Sequence, residues 1–197
     1  MQVSDRLQTV FEKIDEYNRT DPRVTIVGST EVPSELIYGQ RMSHWLSKLY
    51  ENAPDILQIA ARAQHIGRWT IPRDSYPMDR TGYLRWRTVL KNLHGDRAGE
   101  LMLQAGYSAD DVSRVKSILR KDGLDHDPLV QGLEDSACLV FLEYYFEDFA
   151  TAHERTKVVN ILKKTWLKMS VRGRNSALKL NLSEPALSYV SEALAAD

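Results

Sequence analysis

The chain has very little cysteine. Cys138 is its one thiol in 197 residues, set in the apolar run ACLVFL. A disulfide framework within the chain is therefore excluded, and a buried, reduced thiol is the expected state. No run of eighteen apolar residues occurs, so no membrane-spanning helix is expected. Charge of one sign is also lacking. Lys plus Arg number 26 against 27 Asp plus Glu, a formal net charge of -1. The surface as a whole is no attractant for nucleic acid, and any anion site must come from local clustering. Internal repeats and low-complexity tracts are absent, as are HExxH, CxxC and HxH motifs. The opening residues MQVSDRLQTVFEKIDEYN carry acids and no long apolar region, unlike a secretory signal. A cytoplasmic location is the resulting expectation.

What the chain does have is a dense segment at 62–94, RAQHIGRWTIPRDSYPMDRTGYLRWRTVLKNLH. Six arginines, Arg62, Arg68, Arg73, Arg80, Arg85 and Arg87, lie between or beside His65 and His94. Trp69, Tyr76, Tyr83 and Trp86 are interleaved. Planar cations at fixed positions clamp phosphate through paired N–H donors, and rings can stack on a base or sugar. The segment points to a pocket for an anionic small molecule or nucleotide. The same arginines could instead pair with Glu35, Asp74, Asp79 and Glu134.

Hydropathy periodicity predicts an all-α protein, with 1–197 as one helical domain. Helices are expected at 5–17, from 32–35 through Tyr50, at 56–69, 83–103, 110–119, 127–149 and 154–169, with a tail at 178–180 and 186–194. Val24–Val27 reads as a short strand or an apolar tether. On this reading His65 and Trp69 share a helix face, as do Gln64 and Arg68, and Arg41 and Trp45 repeat the spacing on the helix before. The Tyr76–Tyr83 loop is expected to close over a ligand.

Two further chemistries suggest themselves. His65, His94 and the Glu134-Asp135 pair come from three different predicted helices and have the side-chain types of a hydrolytic centre. A hard divalent metal held by His65, His94 and Asp135 would lower the pKa of a bound water. Lys157, Lys163, Lys164, Lys168, Arg172, Arg174 and Lys179, with Trp166 among them, form a basic stretch that suits RNA or an ordinary solvated helix end. No interface stripe marks an oligomer.

His65-Ile66-Gly67-Arg68 and Lys168-Met169-Ser170 are similar to two signature motifs of class I aminoacyl-tRNA synthetases. Those motifs belong to a parallel α/β nucleotide-binding domain, and no series of buried strands is predicted here.

Pro33-Ser34-Glu35-Leu36, Tyr38-Gly39-Gln40-Arg41-Met42, RAQHIGRW at 62–69, IPRDSYPMDRTGYLRWR at 71–87, His94, Ala105-Gly106-Tyr107, Gln131 with LEDSACLVFLE at 133–143, and KKTWLKMS at 163–170 resemble the DUF4202 domain family of bacterial and fungal proteins. The resemblance covers nearly the whole chain. More distantly, the order of these segments is similar to the HD-domain metal-dependent phosphohydrolases. That resemblance implies an HD-like core. Tyr38 falls at the opening histidine, with Arg41 and Met42 after it. Gln64 falls at the motif histidine, His65 at the motif aspartate, Asp135 at the late aspartate and His94 at an accessory histidine. Only His65 and Asp135 keep strong ligating atoms, since Tyr38 is a phenol and Gln64 a neutral amide.

The combined expectation is a phosphohydrolase acting on a nucleotide-like phosphate ester. His65, His94, Glu134 and Asp135 would carry the chemistry. Arg41, Arg62, Gln64, Arg68, Arg73, Arg80, Arg85, Arg87, Tyr38, Trp69 and Tyr76 would bind the substrate. The alternative is a non-catalytic HD-like module that binds a nucleotide or RNA.

Overall fold

The computed structural model describes residues 5–195. Helix dominates the described residues and their one sheet is a two-stranded hairpin, so the all-α expectation holds. The span expected as one helical domain divides into two compact units, 1–133 and 134–197. With a single two-stranded sheet among the described residues, the parallel sheet that the synthetase-like motifs require is not there.

In the first unit, α1 (Asp5–Asn18) buries Leu7, Val10 and Ile14, an apolar stripe at helical spacing. The strand reading of 24–27 is the correct one. β1 (Val24–Val27) pairs antiparallel with β2 (Thr30–Pro33) through a two-residue turn, with Gly28 at φ +64°. The second helix starts at Ser34, inside the expected 32–35 window. This α2 (Ser34–Leu49) has Pro33 at its N-cap and no side-chain cap of its own. The buried Asp21 serves instead, its carboxylate accepting from the Glu35 backbone N–H at 3.1 Å.

α3 spans Asp55–Arg62 and is shorter than the predicted 56–69 helix. Alanine-rich sequence favours continuation, but tertiary contacts win. The chain leaves the helix through tight turns at 63–67 and reaches a 3-10 turn at Arg68–Thr70. Gly67 takes φ +70° there, a conformation glycine adopts without steric cost. His65, Arg68 and Trp69 thus lie on irregular backbone, and the expected helical face pairs do not form.

α4 (Arg80–Gln104) buries Trp86, Leu90, His94, Ala98 and Met102, an unbroken i, i+4 stripe. Asp79 caps it by accepting from Gly82 N–H at 2.6 Å. α5 (Ala109–Arg120) starts at a Ser108/Asp111 capping box and packs extensively on α4. α6 (Pro128–Tyr144) opens on the expected Asp127-Pro128 signal, with Asp127 accepting from Leu129 N–H at 2.9 Å.

In the second unit the predicted long helix breaks at Tyr145, and α7 (Phe146–Thr151) follows. Phe141 meets Phe146 and Phe149 edge-on, a ring cluster that accompanies the break. α8 (Arg155–Lys168) and α10 (Glu184–Leu194) lie near their expected positions, and they pack against each other. α9 (Val171–Ala177) was not foreseen. Ser170 caps it by accepting from Gly173 N–H at 3.1 Å. Cys138 is buried and in no disulfide, as expected.

Gly39 fixes how closely α2 approaches α3. A Cβ built there would lie 2.7 Å from the Arg62 carbonyl oxygen, a backbone atom that cannot swing aside. Gly39→Ala is expected to destabilise the protein by about 1–3 kcal/mol, the range for overpacking. A urea midpoint equal to the wild type's would show that the α2–α3 spacing is slack.

Candidate functional site

The site is built around Glu35, in the first turn of α2 and 6 % exposed. Arg23 donates to it at 2.7 Å and also holds Asp21 through two N–H groups at 3.0 Å. The other carboxylate oxygen faces His65 Nδ1 at 3.2 Å. On the far side of the imidazole, Arg68 lies 3.1 Å from Nε2. A guanidinium only donates, so Nε2 accepts and Nδ1 carries the proton toward Glu35. Tyr38 stacks on the His65 ring with centroids 3.8 Å apart. Arg68 in turn lies over the Trp86 ring at 4.7 Å.

His94 stands beside this chain, its ring 5.9 Å from that of His65. Its Nδ1–H donates to the Ile66 carbonyl at 2.8 Å, since a carbonyl can only accept. Its Nε2 then bears a lone pair, and no protein group is hydrogen-bonded to it.

Gln64, His65, Arg68, Arg87, Leu90, Lys91, His94, Leu119 and Lys121 line a cleft of about 340 Å³, its open mouth included. Four of these are cations and none is an acid. Lys91 also donates to the Arg120 carbonyl, which places its ammonium at the end of α5. Lys121 follows that helix in the left-handed conformation, φ +62°, the one non-glycine with positive φ among the described residues. Its N–H and that of Asp122 close the helix end on Ile118 and Ser117 carbonyls. Glycine ordinarily fills such a position, because a Cβ there crowds the following carbonyl oxygen at a cost of about 1–2 kcal/mol. Gln64 Oε1 is buried without any hydrogen-bond partner. A buried acceptor in that state is costly unless something else fills the cleft.

The charges set the protonation states. Burial lowers the His65 pKa first, and Arg68 lowers it further, while Glu35 opposes; the result is about 4. Burial and then the neighbouring His65 bring His94 down to about 3. Burial pushes Glu35 up, but His65, Arg23 and Arg68 outweigh it and hold the carboxyl at about 2. With His65 neutral near pH 7, the charges that keep Glu35 ionised there are the two guanidinium groups.

The structure distributes the sequence-predicted residues unevenly. Gln64, His65, Arg68, Arg87 and His94 share the cleft, with Tyr38 behind His65. Arg62 makes a two-pronged pair with Asp15 of α1, both largely buried. Arg73 donates to the Tyr76, Pro77 and Asp79 carbonyls, so it braces the 71–82 loop from within. Tyr76 belongs to that braced loop, and Trp69 packs on Tyr17 at 5.4 Å. Arg41 on α2, and the exposed Arg80 and Arg85 on α4, do not line the cleft.

Glu134 and Asp135 belong to the second unit. Glu134 faces Lys168 at 3.7 Å. Asp135, fully buried, accepts from the Ser170 N–H at 2.8 Å and from its hydroxyl. In the basic stretch, Arg174 donates to the Trp166 carbonyl and lies over its ring. Among the described residues, no three His, Cys, Asp or Glu side chains are grouped as metal ligands. As arranged, the His65 lone pair meets a guanidinium, which does not suit a metal cation at that atom.

Sequence reasoning missed Lys91, Lys121, Asp21 and Arg23. The first had a signal: Arg87, Leu90, Lys91 and His94 are spaced three and four apart on one helix. Lys121 had none, because its place depends on how α5 ends.

The model for a domain of unknown function, DUF4202, matches residues 8–190. The chain belongs to the DUF4202 family. No curated protein and no solved structure matches it. The cleft, the Glu35 cluster and both histidines of this DUF4202 chain all lie inside the matched span.

The buried charges make stability depend on pH in a stated direction. The folded-state values of both histidines lie below the ordinary 6.5. Below pH 6.5 the unfolded chain takes up protons that the folded chain refuses, so stability falls as the pH drops through that window. Glu35 adds to the loss only below its ordinary 4.5. Between about pH 6.5 and pH 5 the loss should be about 2 kcal/mol for each histidine. Urea titrations at the two pH values test it, and His65→Asn should flatten the slope. Equal stability at both would mean that the histidines titrate normally.

Proposed function

We propose that the cleft binds a phosphorylated small molecule. The observation that supports this best is the wall itself: Arg68, Arg87, Lys91 and Lys121 converge with no acid among the lining residues. Four cations held together repel one another, and a bound dianion removes that repulsion. Among the described residues no carboxylate pairs with Arg87, so its charge is available to a ligand. Lys121 supports the same reading. A lysine tolerated where glycine would relieve strain suggests that its side chain is needed.

Recognition without turnover is the function we favour. His65 is immobilised between Glu35 and Arg68 and stacked on Tyr38, a poor state for moving a proton. The phosphohydrolase reading keeps one supporting observation, the free Nε2 of His94 in the cleft. A phosphate dianion beside it would raise its pKa and make it a candidate acid–base group. The gathering of Tyr38, Gln64 and His65 at the positions of the HD-like resemblance supports reading the core as a degenerate relative of that family.

Inorganic phosphate is expected to raise the melting temperature of the protein, and Arg87→Ala to weaken phosphate binding about tenfold or more. Lys121→Gly serves as the control that separates binding from folding. It should weaken phosphate binding while changing stability by less than about 1 kcal/mol, since glycine suits the left-handed position. Calorimetric titration of the three proteins checks this. No heat and no thermal shift with phosphate in the wild type would overturn the reading. Release of phosphate from a monoester, lost in His94→Gln, would transfer the assignment to hydrolysis.

A further inference from the structure

The cations say where a phosphate would sit, and two other atoms say what must be attached to it. Gln64 Oε1 is buried and partnerless. His94 Nε2 is a second acceptor, on a ring that is only 5 % exposed and that lines the same cleft. The proton on Nδ1 is fixed by the Ile66 carbonyl, so Nε2 is an acceptor and not a donor in the neutral ring. The dianion of a phosphate monoester presents only acceptor oxygens, so its phosphate group cannot satisfy either atom. No arginine or lysine of the wall satisfies the Gln64 oxygen.

The rest of the lining narrows the choice. Leu90 and Leu119 are its apolar residues, and it has no aromatic ring other than the two imidazoles. A nucleobase would ordinarily find a stacking ring. Tyr76, Trp69 and Tyr83, which the sequence offered for that purpose, are not on the wall.

Building on the phosphate-cleft reading, we infer that the ligand is a phosphate monoester of a small polyol or sugar, whose hydroxyl groups donate to Gln64 Oε1 and His94 Nε2 while the phosphate meets the cations. A site built to satisfy its acceptors with ligand hydroxyls discriminates strongly against an analogue that lacks them, because buried acceptors are then left open.

The test is a calorimetric comparison of four probes with the full chain near pH 7.5: inorganic phosphate, propyl phosphate, glycerol 3-phosphate and ribose 5-phosphate. Propyl phosphate and glycerol 3-phosphate have the same carbon count and differ only in hydroxyls. The hydroxylated esters are expected to bind at least tenfold tighter than propyl phosphate. In Gln64→Met, which keeps an unbranched side chain of similar length, that preference should shrink severalfold. Adenosine 5′-monophosphate should bind no tighter than ribose 5-phosphate. Ester binding without a hydroxyl preference would overturn this inference and leave the phosphate cleft standing. A tenfold gain from the adenine base would also overturn it. Binding of none of the probes would overturn the phosphate-cleft reading, and this inference with it. The wild-type comparison alone decides the matter if the variant does not fold.

Discussion

A single buried carboxylate organises the first unit. Glu35 is held by Arg23 from one side and by His65 and Arg68 from the other. Its own backbone N–H is taken by Asp21, which Arg23 also grips. Removing one partner from such a cluster leaves an uncompensated buried charge, which costs far more than a surface ion pair contributes. The start of α2, the end of the hairpin and the irregular turn after α3 are therefore tied to one point. Asn18 adds a further tie, donating to the Glu35 carbonyl while its own oxygen faces Gly67 N–H.

That arrangement explains why the histidines are neutral. His65 has an anion on one nitrogen and a cation on the other, so a second proton on the ring would collide with Arg68. His94 is buried beside it. The cleft's positive charge therefore comes from its arginine and lysine side chains and not from the imidazoles. The imidazoles contribute hydrogen-bonding direction instead of charge.

Much of the fold was legible from the sequence, and the reasons for the failures are specific. The i, i+4 stripe of α4 and the Asp127-Pro128 start of α6 announced themselves by periodicity and capping chemistry. The 56–69 segment did not, because nothing local distinguishes Ala61-Arg62-Ala63-Gln64 from continuing helix. Its end is imposed by Glu35, thirty positions away from His65 in sequence, and by Gly67. The arginine cluster was visible as a cluster but not as a set of roles. Composition cannot tell Arg62, paired to Asp15, or Arg73, bonded to loop carbonyls, from Arg87, which pairs with no carboxylate among the described residues. Glu134 and Asp135 looked catalytic as acidic neighbours, yet Asp135 anchors the Ser170 corner where α9 begins.

Trp86 carries one more consequence. Its indole is buried with the guanidinium groups of Arg68 and Arg73 at 4.7 and 5.8 Å from its ring, and its Nε1–H is fixed on the Ile71 carbonyl. A ring held so rigidly under two positive charges has an excited state tuned by their field. Arg68 belongs to the cleft wall. Neutralising it would alter the field on the indole with no movement of the backbone, so the protein contains its own optical gauge of the charge that enters the cleft.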